Sequence, residues 1–168
     1  MVITETARLV VRTLIEADFP HIFRLQSDPA SMRYIRTPVR DEAVVRERMV
    51  LWEDYRRRVP GLGVFAVEDK ADGSFAGYVT ARHVDFNPDT GEFEVGYVIV
   101  PERWGQGLAG ELVPPLCRYL FGLSGAPYIV AFTDPDNLAS QRVLLKSGFR
   151  EVGRRQVYDG ESKEFRLE

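Results

Sequence analysis

The sequence predicts an α/β fold with a mixed sheet of about seven strands and four helices. Segments with strand patterns alternate with segments of helical periodicity along the 168 residues, which is typical of α/β proteins. Three consecutive strand segments are joined by short turns, and a glycine-rich helix start follows the third. These observations predict the element order β-α-α-β-β-β-α-β-α-β-β.

Turn and helix-end signals place the boundaries of these elements. Asp28-Pro29 and Pro60-Gly61 end the first two helices, because the residue before a proline disfavours helical geometry. Asp72-Gly73 is a strong hairpin signal, Asn87-Pro88-Asp89 makes the next turn, and Asp159-Gly160 is predicted to turn the last hairpin. The predicted elements, in chain order, are strand 8–12, helix 17–27, helix 40–58, strands 62–68, 75–84 and 92–100, helix 106–122, strand 127–132, helix 137–147, and strands 149–158 and 162–167.

Length and composition predict one domain over residues 1–168, since this length is sufficient to bury a core. An apolar content of 45% and a charged content of 28% are typical of a soluble globular protein. No run approaches ~18 apolar residues, so we expect no membrane partner. The net charge of −3 gives no general attraction to nucleic acid and mildly favours a cationic acceptor such as an amine.

Cysteine and histidine are too scarce for an internal disulfide or a metal centre. Cys117 is the single cysteine, which fits a reducing compartment. His21 and His83 are too few and too far apart for a metal site. The N-terminus lacks the apolar core of a signal peptide, so a cytoplasmic location is expected. The oligomeric state is open, with a homodimer as one option.

The most informative stretch runs from Glu92 to Glu111 and reads as a strand, a short turn and a glycine-rich helix start. Gly105, Gly107 and Gly110 leave backbone N–H groups uncovered by side chains. The first N–H groups of a helix have no internal partners and carry partial positive charge from the helix dipole. Such a site binds phosphate, so the stretch predicts a nucleotide-like cofactor.

Two other phosphate-binding motifs fit this stretch less well. Gly105-x-Gly107-x-x-Gly110 satisfies the dinucleotide fingerprint, but residues 101–104 separate it from the strand. The strand also carries Glu92 and Glu94, whereas buried parallel strands are almost continuously apolar. A nucleoside-triphosphate loop would require a Gly-Lys-Ser/Thr sequence, which is absent. A nicotinamide-dependent oxidoreductase is therefore a remote alternative.

Four segments resemble the GNAT acetyltransferase superfamily. The family's cofactor loop runs Gln/Arg-x-x-Gly-x-Gly/Ala, and the stretch over 104–109 matches it at Gly107 and Ala109 but begins with Trp104. A tryptophan-glycine opening looks like the branch that acetylates the N-termini of ribosomal proteins. The other three segments, in the family's order, are Thr6-Ala-Arg8-Leu9-Val-Val-Arg12 with Asp18, Glu94-Val-Gly-Tyr97, and Asn137-Leu-Ala-Ser140-Gln-Arg-Val-Leu-Leu-Lys146-Ser-Gly148-Phe149.

The resemblance implies the GNAT fold, with the fourth and fifth predicted strands splayed apart, and acetyl-CoA as the cofactor. It implies that backbone groups of Val98, Ile99 and Val100 pair with the pantetheine arm of coenzyme A. Asn137 would bond the arm from the other side, and asparagine is also a preferred helix N-cap. The residues implied to surround the phosphates are Arg103, Trp104, Gly105, Gln106, Gly107, Leu108, Ala109 and Gly110.

Transfer of an acetyl group to an amine requires a base, because an ammonium cannot attack. Glu94 is predicted to be this base, directly or through a water, with Glu92 on the same strand face as the alternative. Many family members protonate the leaving thiol with a tyrosine on the fourth helix, but that position is Leu144 here. Ser140 is therefore the predicted donor, or else a residue that only binds coenzyme A. Tyr97 is not expected to act as the acid if it faces away from Glu94.

These residues predict an acetyl-CoA-dependent N-acetyltransferase that acetylates a primary amine by direct attack in a ternary complex. A protein N-terminal α-amine is favoured as the acceptor. With a pKa of about 7.7–8 it is about a tenth neutral at pH 7, whereas a lysine with a pKa of about 10.4 is almost wholly protonated. A small-molecule amine acetyltransferase and a non-catalytic acetyl-CoA-binding regulatory protein are the alternatives.

Overall fold

The computed structural model describes residues 1–168 and contains one mixed sheet of eight strands. The strands are β1 Val2–Glu5, β2 Leu9–Thr13, β3 Gly63–Asp69, β4 Phe75–His83, β5 Phe93–Ile99, β6 Ile129–Thr133, β7 Arg150–Val157 and β8 Gly160–Leu167. The α-helices are α1 Phe19–Ser27, α2 Pro29–Met32, α3 Glu42–Arg58, α4 Leu108–Ser124 and α5 Leu138–Lys146. The predicted α/β class and mixed sheet are thus confirmed.

The strands lie in the order β1-β2-β3-β4-β5-β6-β8-β7. All neighbours in this order are antiparallel except β5 and β6, which are parallel. β5 and β6 share one register pair, Glu94 with Val130, so the two strands separate beyond it. This confirms the splay predicted for the strands over 92–100 and 127–132, and it leaves an open edge along the second half of β5.

Helices cover both faces of the sheet. On one face, Leu112 of α4 and Leu144 of α5 share a core with Ile99 of β5. On the other face, Ile22 of α1 shares a core with Val98 of β5. Because successive strand residues point to opposite faces, the splay beside β5 is bordered by side chains from both layers. None of the helices combines the length and apolar content of a membrane-spanning segment.

The structure adds two short elements to the predicted order. β1 pairs with β2, with Thr4 opposite Val11, which is a tertiary contact that four residues of sequence do not signal. α2 begins immediately after α1 because the Asp28 side chain accepts a hydrogen bond from the Ser31 N–H at 3.0 Å. Pro29 occupies the first helical position, where its missing N–H costs nothing. Asp28-Pro29 therefore ends one helix and begins the next.

Candidate functional site

A cavity of about 540 Å³ lies where β5 and β6 separate. Its walls come from β4, β5, β6, α5, the segment that follows α2, and the tip of the β7–β8 hairpin. The lining includes Glu94, Tyr97, Asn137 and Ser140. Four residues that the sequence analysis discussed for the chemistry of the site therefore lie around one cavity, and we call this cavity the groove.

Glu94 is a buried carboxylate that lies directly opposite Arg82 on β4. Arg82 donates to Glu94 Oε1 at 2.8 Å, and the hydroxyl of Tyr158 donates to Oε2. Burial raises the pKa of Glu94 above its ordinary value, while Arg82 and Tyr158 act in the opposite direction. A carboxylate with a raised pKa is a better proton acceptor near neutral pH, which suits a general base.

Tyr158 reaches Glu94 from the tip of the last hairpin. Tyr158 and Asp159 both have positive φ, 52° and 65°, and they form the two-residue loop between β7 and β8. This corrects the predicted Asp159-Gly160 turn by one position. The Tyr158 hydroxyl accepts hydrogen bonds from Arg82 Nη2 at 3.1 Å and from the Asp85 N–H at 2.9 Å. These bonds, with the one to Glu94, hold a bulky residue in a backbone region that it rarely adopts.

Glu92, the alternative base, does not line the groove. Its carboxylate pairs with Arg155 at 2.8 Å and accepts a hydrogen bond from the Tyr128 hydroxyl at 3.1 Å. Arg155 lowers the pKa of Glu92. A carboxylate held in its charged form by an arginine is a weak proton acceptor, so the geometry favours Glu94 over Glu92 as the base.

The α5 wall of the groove carries two hydroxyls in contact. The Asn137 side chain caps α5 by accepting from the Ser140 N–H at 3.2 Å, so its helix-cap role is present and its amide NH₂ stays available. Ser140 Oγ lies 3.0 Å from the Tyr97 hydroxyl. Burial raises the pKa of Tyr97, which keeps the phenol protonated. Although Tyr97 points away from Glu94, it therefore reaches the predicted proton donor, a link that the strand pattern does not reveal.

Two further residues complete this wall. Leu144, at the position where many family members carry tyrosine, is buried in the core. Thr133, at the end of β6, lines the groove with a buried hydroxyl that has no hydrogen-bond partner. Buried polar atoms are almost always paired, so this hydroxyl is available to a bound molecule.

The start of α4 has the geometry of an anion site. Gly105 and Gly107 have positive φ, 73° and 77°, and no side chain caps the helix. The N–H groups of Leu108, Ala109 and Gly110 make no hydrogen bond within the chain. Unpaired N–H groups at a helix N-terminus are suited to bind phosphate oxygens, and phosphate binding here stays a prediction.

Hydrogen bonds and salt bridges within the chain hold the loop before α4 in place. Arg103 pairs with Asp69 at 2.5 Å and donates to the Gln106 side chain at 3.0 Å. Arg8, which the sequence analysis named only in the segment resembling the family's first strand, donates to the Gln106 carbonyl at 3.0 Å and pairs with Glu111 at 2.7 Å. Arg103 and Gln106 were predicted as phosphate neighbours, but in the structure both side chains are hydrogen-bonded to other groups of the chain.

The open edge of β5 corrects the predicted set of pantetheine-pairing residues. The Val100 N–H donates to the Ala76 carbonyl and the Val100 carbonyl accepts from the Arg103 N–H, both at 3.0 Å. Backbone groups alternate in direction along an antiparallel ladder, so Val98 also points its groups towards β4. Ile99 faces the open edge, although its carbonyl accepts from the Trp104 indole at 2.8 Å. Ile99 alone of the three thus directs its backbone groups to the splay.

Cys117 has no role in this chemistry. It is buried inside α4, and burial raises the pKa of its thiol to about 12. A thiol with so high a pKa does not form the nucleophilic thiolate at neutral pH.

Comparisons with known proteins agree on one family. A model of the acetyltransferase (GNAT) domain matches residues 8–150. YkkB of Bacillus subtilis (strain 168) is 30% identical over 144 residues, which span 85% of this chain and 82% of that protein. An FsC-acetyl coenzyme A-N(2)-transacetylase of Aspergillus fumigatus is 28% identical over 157 residues, or 88% of this chain and 64% of that protein. The solved structure of RimL, a ribosomal L7/L12 alpha-N-protein acetyltransferase in complex with coenzyme A, superposes with a TM-score of 0.82 at 16% identity, over 99% of this chain and 97% of that one.

Proposed function

Since the chain belongs to the GNAT acetyltransferase family and is an N-acetyltransferase that uses acetyl-CoA, we propose that it acetylates the α-amine of a protein N-terminus. The proposal places the chain in the Rim-type branch, and the similarity of its fold to that of RimL supports this. We also propose a cytoplasmic location, which the single free cysteine supports.

One observation carries the proposed mechanism: Glu94 and Ser140 line the same groove from opposite sides of the splayed sheet. Glu94 extends towards the layer of α1 and α3, because it shares a strand face with Val98. Ser140 lies on α5, in the other layer. A base and a proton donor on two sides of one cavity are the groups that acyl transfer to an amine requires.

The residues present fit acetyl-CoA. The free N–H groups of Leu108, Ala109 and Gly110 would bind its phosphates, and Ile99, Asn137 and Thr133 would bind amide groups of its arm. When bound, it supplies an acetyl thioester, which is an activated acyl group. Gly105 and Gly107 would form the turn that brings the backbone close to the phosphates, because both have positive φ.

Glu94 would accept a proton from the incoming amine, directly or through a water. An α-amine with a pKa of about 7.7–8 requires less of this base than a lysine does. Glu94 is also restrained by Arg82 and Tyr158, which hold the carboxylate in one position while burial raises its pKa. Positioning and a raised pKa together suit an acceptor amine that is already partly neutral.

On the other side, Ser140 Oγ would donate a proton towards the leaving sulfur. The Tyr97 hydroxyl at 3.0 Å would in turn donate to Ser140. This pair replaces the hydroxyl that Leu144 cannot provide, and it is why we favour an enzyme over a non-catalytic binding protein.

The proposal is tested by the release of free thiol from acetyl-CoA with a panel of amines. The panel contains peptides with a free α-amine, the same peptides with a blocked α-amine and one lysine, a polyamine and an aminoglycoside. We expect kcat/KM to be at least about tenfold higher for the free α-amine peptides. A preference for the polyamine or the aminoglycoside would make the acceptor a small molecule, and no thiol release with any amine would contradict the assignment of the acceptor class as an amine.

Replacing Tyr158 by phenylalanine is expected to move the acidic limb of the pH–rate profile to higher pH. In the wild type, burial raises the pKa of Glu94 and the hydrogen bond from the Tyr158 hydroxyl opposes this rise. Removing the hydroxyl therefore raises the pKa of Glu94 further. A hydrogen bond to a charged group contributes about 1.5–3 kcal/mol, which corresponds to about one pKa unit or more. Tyr128→Phe is the control, because it removes a similar bond to Glu92 outside the groove. An unchanged acidic limb in Tyr158→Phe would contradict this positioning role.

Replacing Ser140 by alanine is expected to slow acetyl transfer in a single turnover by about tenfold. Positioned donors contribute up to about 10²–10³-fold, but a thiol with a pKa of about 8.5 is a good leaving group, so the lower end applies. Tyr97→Phe should slow the same step less. Ser147→Ala is the control, because Ser147 caps the C-terminus of the same helix and its hydroxyl donates to the Val143 carbonyl. A weaker Kd for acetyl-CoA with an unchanged single-turnover rate would make Ser140 a binding residue only.

A further inference from the structure

The segment between α2 and the middle of α3 carries arginines without carboxylate partners. Most other arginines of the chain form salt bridges, for example Arg12 with Asp18 at 2.8 Å. In contrast, no aspartate or glutamate lies within salt-bridge distance of the arginines at 33, 36, 40 and 48. This segment therefore carries positive charge that no carboxylate of the chain compensates.

Two of these arginines line the groove itself. Arg33 and Arg36 belong to its wall, which Tyr78 and Thr80 of β4 also line. Both arginines are exposed, so their guanidinium groups are accessible to a molecule that enters. Arginine presents several N–H donors in a planar fork, which matches the geometry of a carboxylate or a phosphate.

Arg48, on α3, adds a second observation. Its guanidinium donates to the Gln26 side-chain oxygen, and burial together with the neighbouring charge of Arg36 lowers its pKa. Adjacent like charges are unfavourable, and an anion bound beside Arg36 would offset the repulsion between Arg36 and Arg48.

The carboxylates of the groove lie away from Arg36. Burial raises the pKa of Tyr78 and the charge of Arg36 opposes this, so Arg36 lies near Tyr78, whereas Glu94 lies opposite Arg82, four residues further along β4. Glu94 is paired with Arg82, but Asp159, which also lines the groove, forms no salt bridge, so its charge is free to attract an ammonium group. The groove thus has separated ends of opposite sign, which matches an acceptor that carries an amine and an acidic group. A polycation would meet repulsion from Arg33 and Arg36. The local charges therefore add an anionic group to the expectation from the net charge of −3, which mildly favoured a cationic acceptor such as an amine.

We infer that the acceptor carries a carboxylate or similar anionic group besides its amine, and that Arg36, with Arg33, binds this group while the amine lies at Glu94. The inference deepens the proposed function and rests on it for the position of the amine. For a protein N-terminus, it predicts acidic side chains within the first residues. A free amino dicarboxylic acid carries the same chemistry in a smaller molecule.

Three peptides that share a free N-terminal alanine and differ in the next two residues test this inference. These residues are acidic in the first peptide, their amides in the second, and lysines in the third. Binding is measured by fluorescence anisotropy with saturating coenzyme A, using a label at the peptide C-terminus, and acetylation is measured separately by thiol release. Glutamate is included as the free amino dicarboxylic acid.

The wild-type protein should bind the acidic peptide about tenfold more tightly than the amide peptide, since one charge-assisted contact is worth this much. The double variant Arg33→Gln with Arg36→Gln should remove this preference and leave the Kd for acetyl-CoA unchanged. Arg36→Glu should favour the lysine peptide. Arg118→Gln is the control, because Arg118 is exposed on α4, forms no salt bridge and does not line the groove.

Equal binding of the acidic and amide peptides by the wild-type protein, or a preference that the double variant retains, would overturn the inference. Tighter binding or faster acetylation of glutamate, lost in the double variant, would support it with a small molecule as the source. Acidic preference in binding without acetylation of any peptide would support the anion site while contradicting the proposed N-terminal activity. Acetylation of all three peptides at equal rates, with equal binding, would support the proposed N-terminal activity and contradict the anion site.

Discussion

Replacing Glu94 by glutamine is expected to lower kcat by about 10²–10⁴-fold, which is the usual contribution of a general base. Glutamine preserves the shape of the side chain but cannot take a proton. The Kd for acetyl-CoA should stay unchanged, because the N–H groups proposed to bind its phosphates belong to the α4 start. The measurements are steady-state kinetics with a saturating acceptor and a separate titration with acetyl-CoA.

The pH dependence gives the sharper test of this variant. In the wild type, turnover should fall as pH drops through the raised pKa of Glu94, because the protonated acid cannot accept a proton. In Glu94→Gln this limb should be absent, and the loss should shrink at high pH, where the amine is already neutral. A variant with a wild-type pH–rate profile would remove Glu94 from the mechanism.

Glu92→Gln is a closely matched control for Glu94→Gln. This substitution removes a carboxylate next to β5 and breaks its 2.8 Å salt bridge with Arg155. Unlike Glu94, Glu92 lies outside the groove. We expect this variant to keep kcat. Because Glu94→Gln leaves the buried Arg82 without its anion, which is destabilising, thermal melting of both variants would separate lost folding from lost chemistry.

Replacing Gly107 by valine is expected to weaken acetyl-CoA binding by about 10²-fold or more. Gly107 has a φ of 77°, which a β-branched residue adopts only with strain, so the loop must shift. One or two hydrogen bonds to phosphate would then be lost, at about 1.5–3 kcal/mol each. Isothermal titration with acetyl-CoA measures the effect.

Gly125→Val controls for the backbone strain. Gly125 ends the same helix with a φ of 63°, and a side chain there would meet no atom within 4 Å. It should cost a similar amount of stability and leave acetyl-CoA binding intact. Equal affinities in wild type and Gly107→Val would show that the phosphates bind elsewhere.

Local signals in the sequence were sufficient for most of the fold. Asp72-Gly73 and the glycines before α4 mark a hairpin and a helix start, because turn and cap conformations depend on a few neighbouring residues. The same locality explains the error at the last hairpin. Asp-Gly is the common turn pair, but Tyr158 adopts positive φ because its hydroxyl is held by Glu94, Arg82 and the Asp85 N–H, contacts that no local pattern encodes.

By itself, the sequence determined the α/β class, the glycine-rich start of α4 with its unpaired N–H groups, and the choice of Glu94 as a residue facing a groove. Each follows from short-range rules, namely periodicity, turn chemistry and the unpaired N–H groups at a helix start. Only the tertiary structure decided what surrounds Glu94. It shows that Glu94 pairs with Arg82 in the groove whereas Glu92 pairs with Arg155 outside it, and that the hydroxyls of Tyr97 and Ser140 are hydrogen-bonded. These contacts link residues that are 12 to 64 positions apart, so they depend on sheet register and helix packing, which are set by the whole chain.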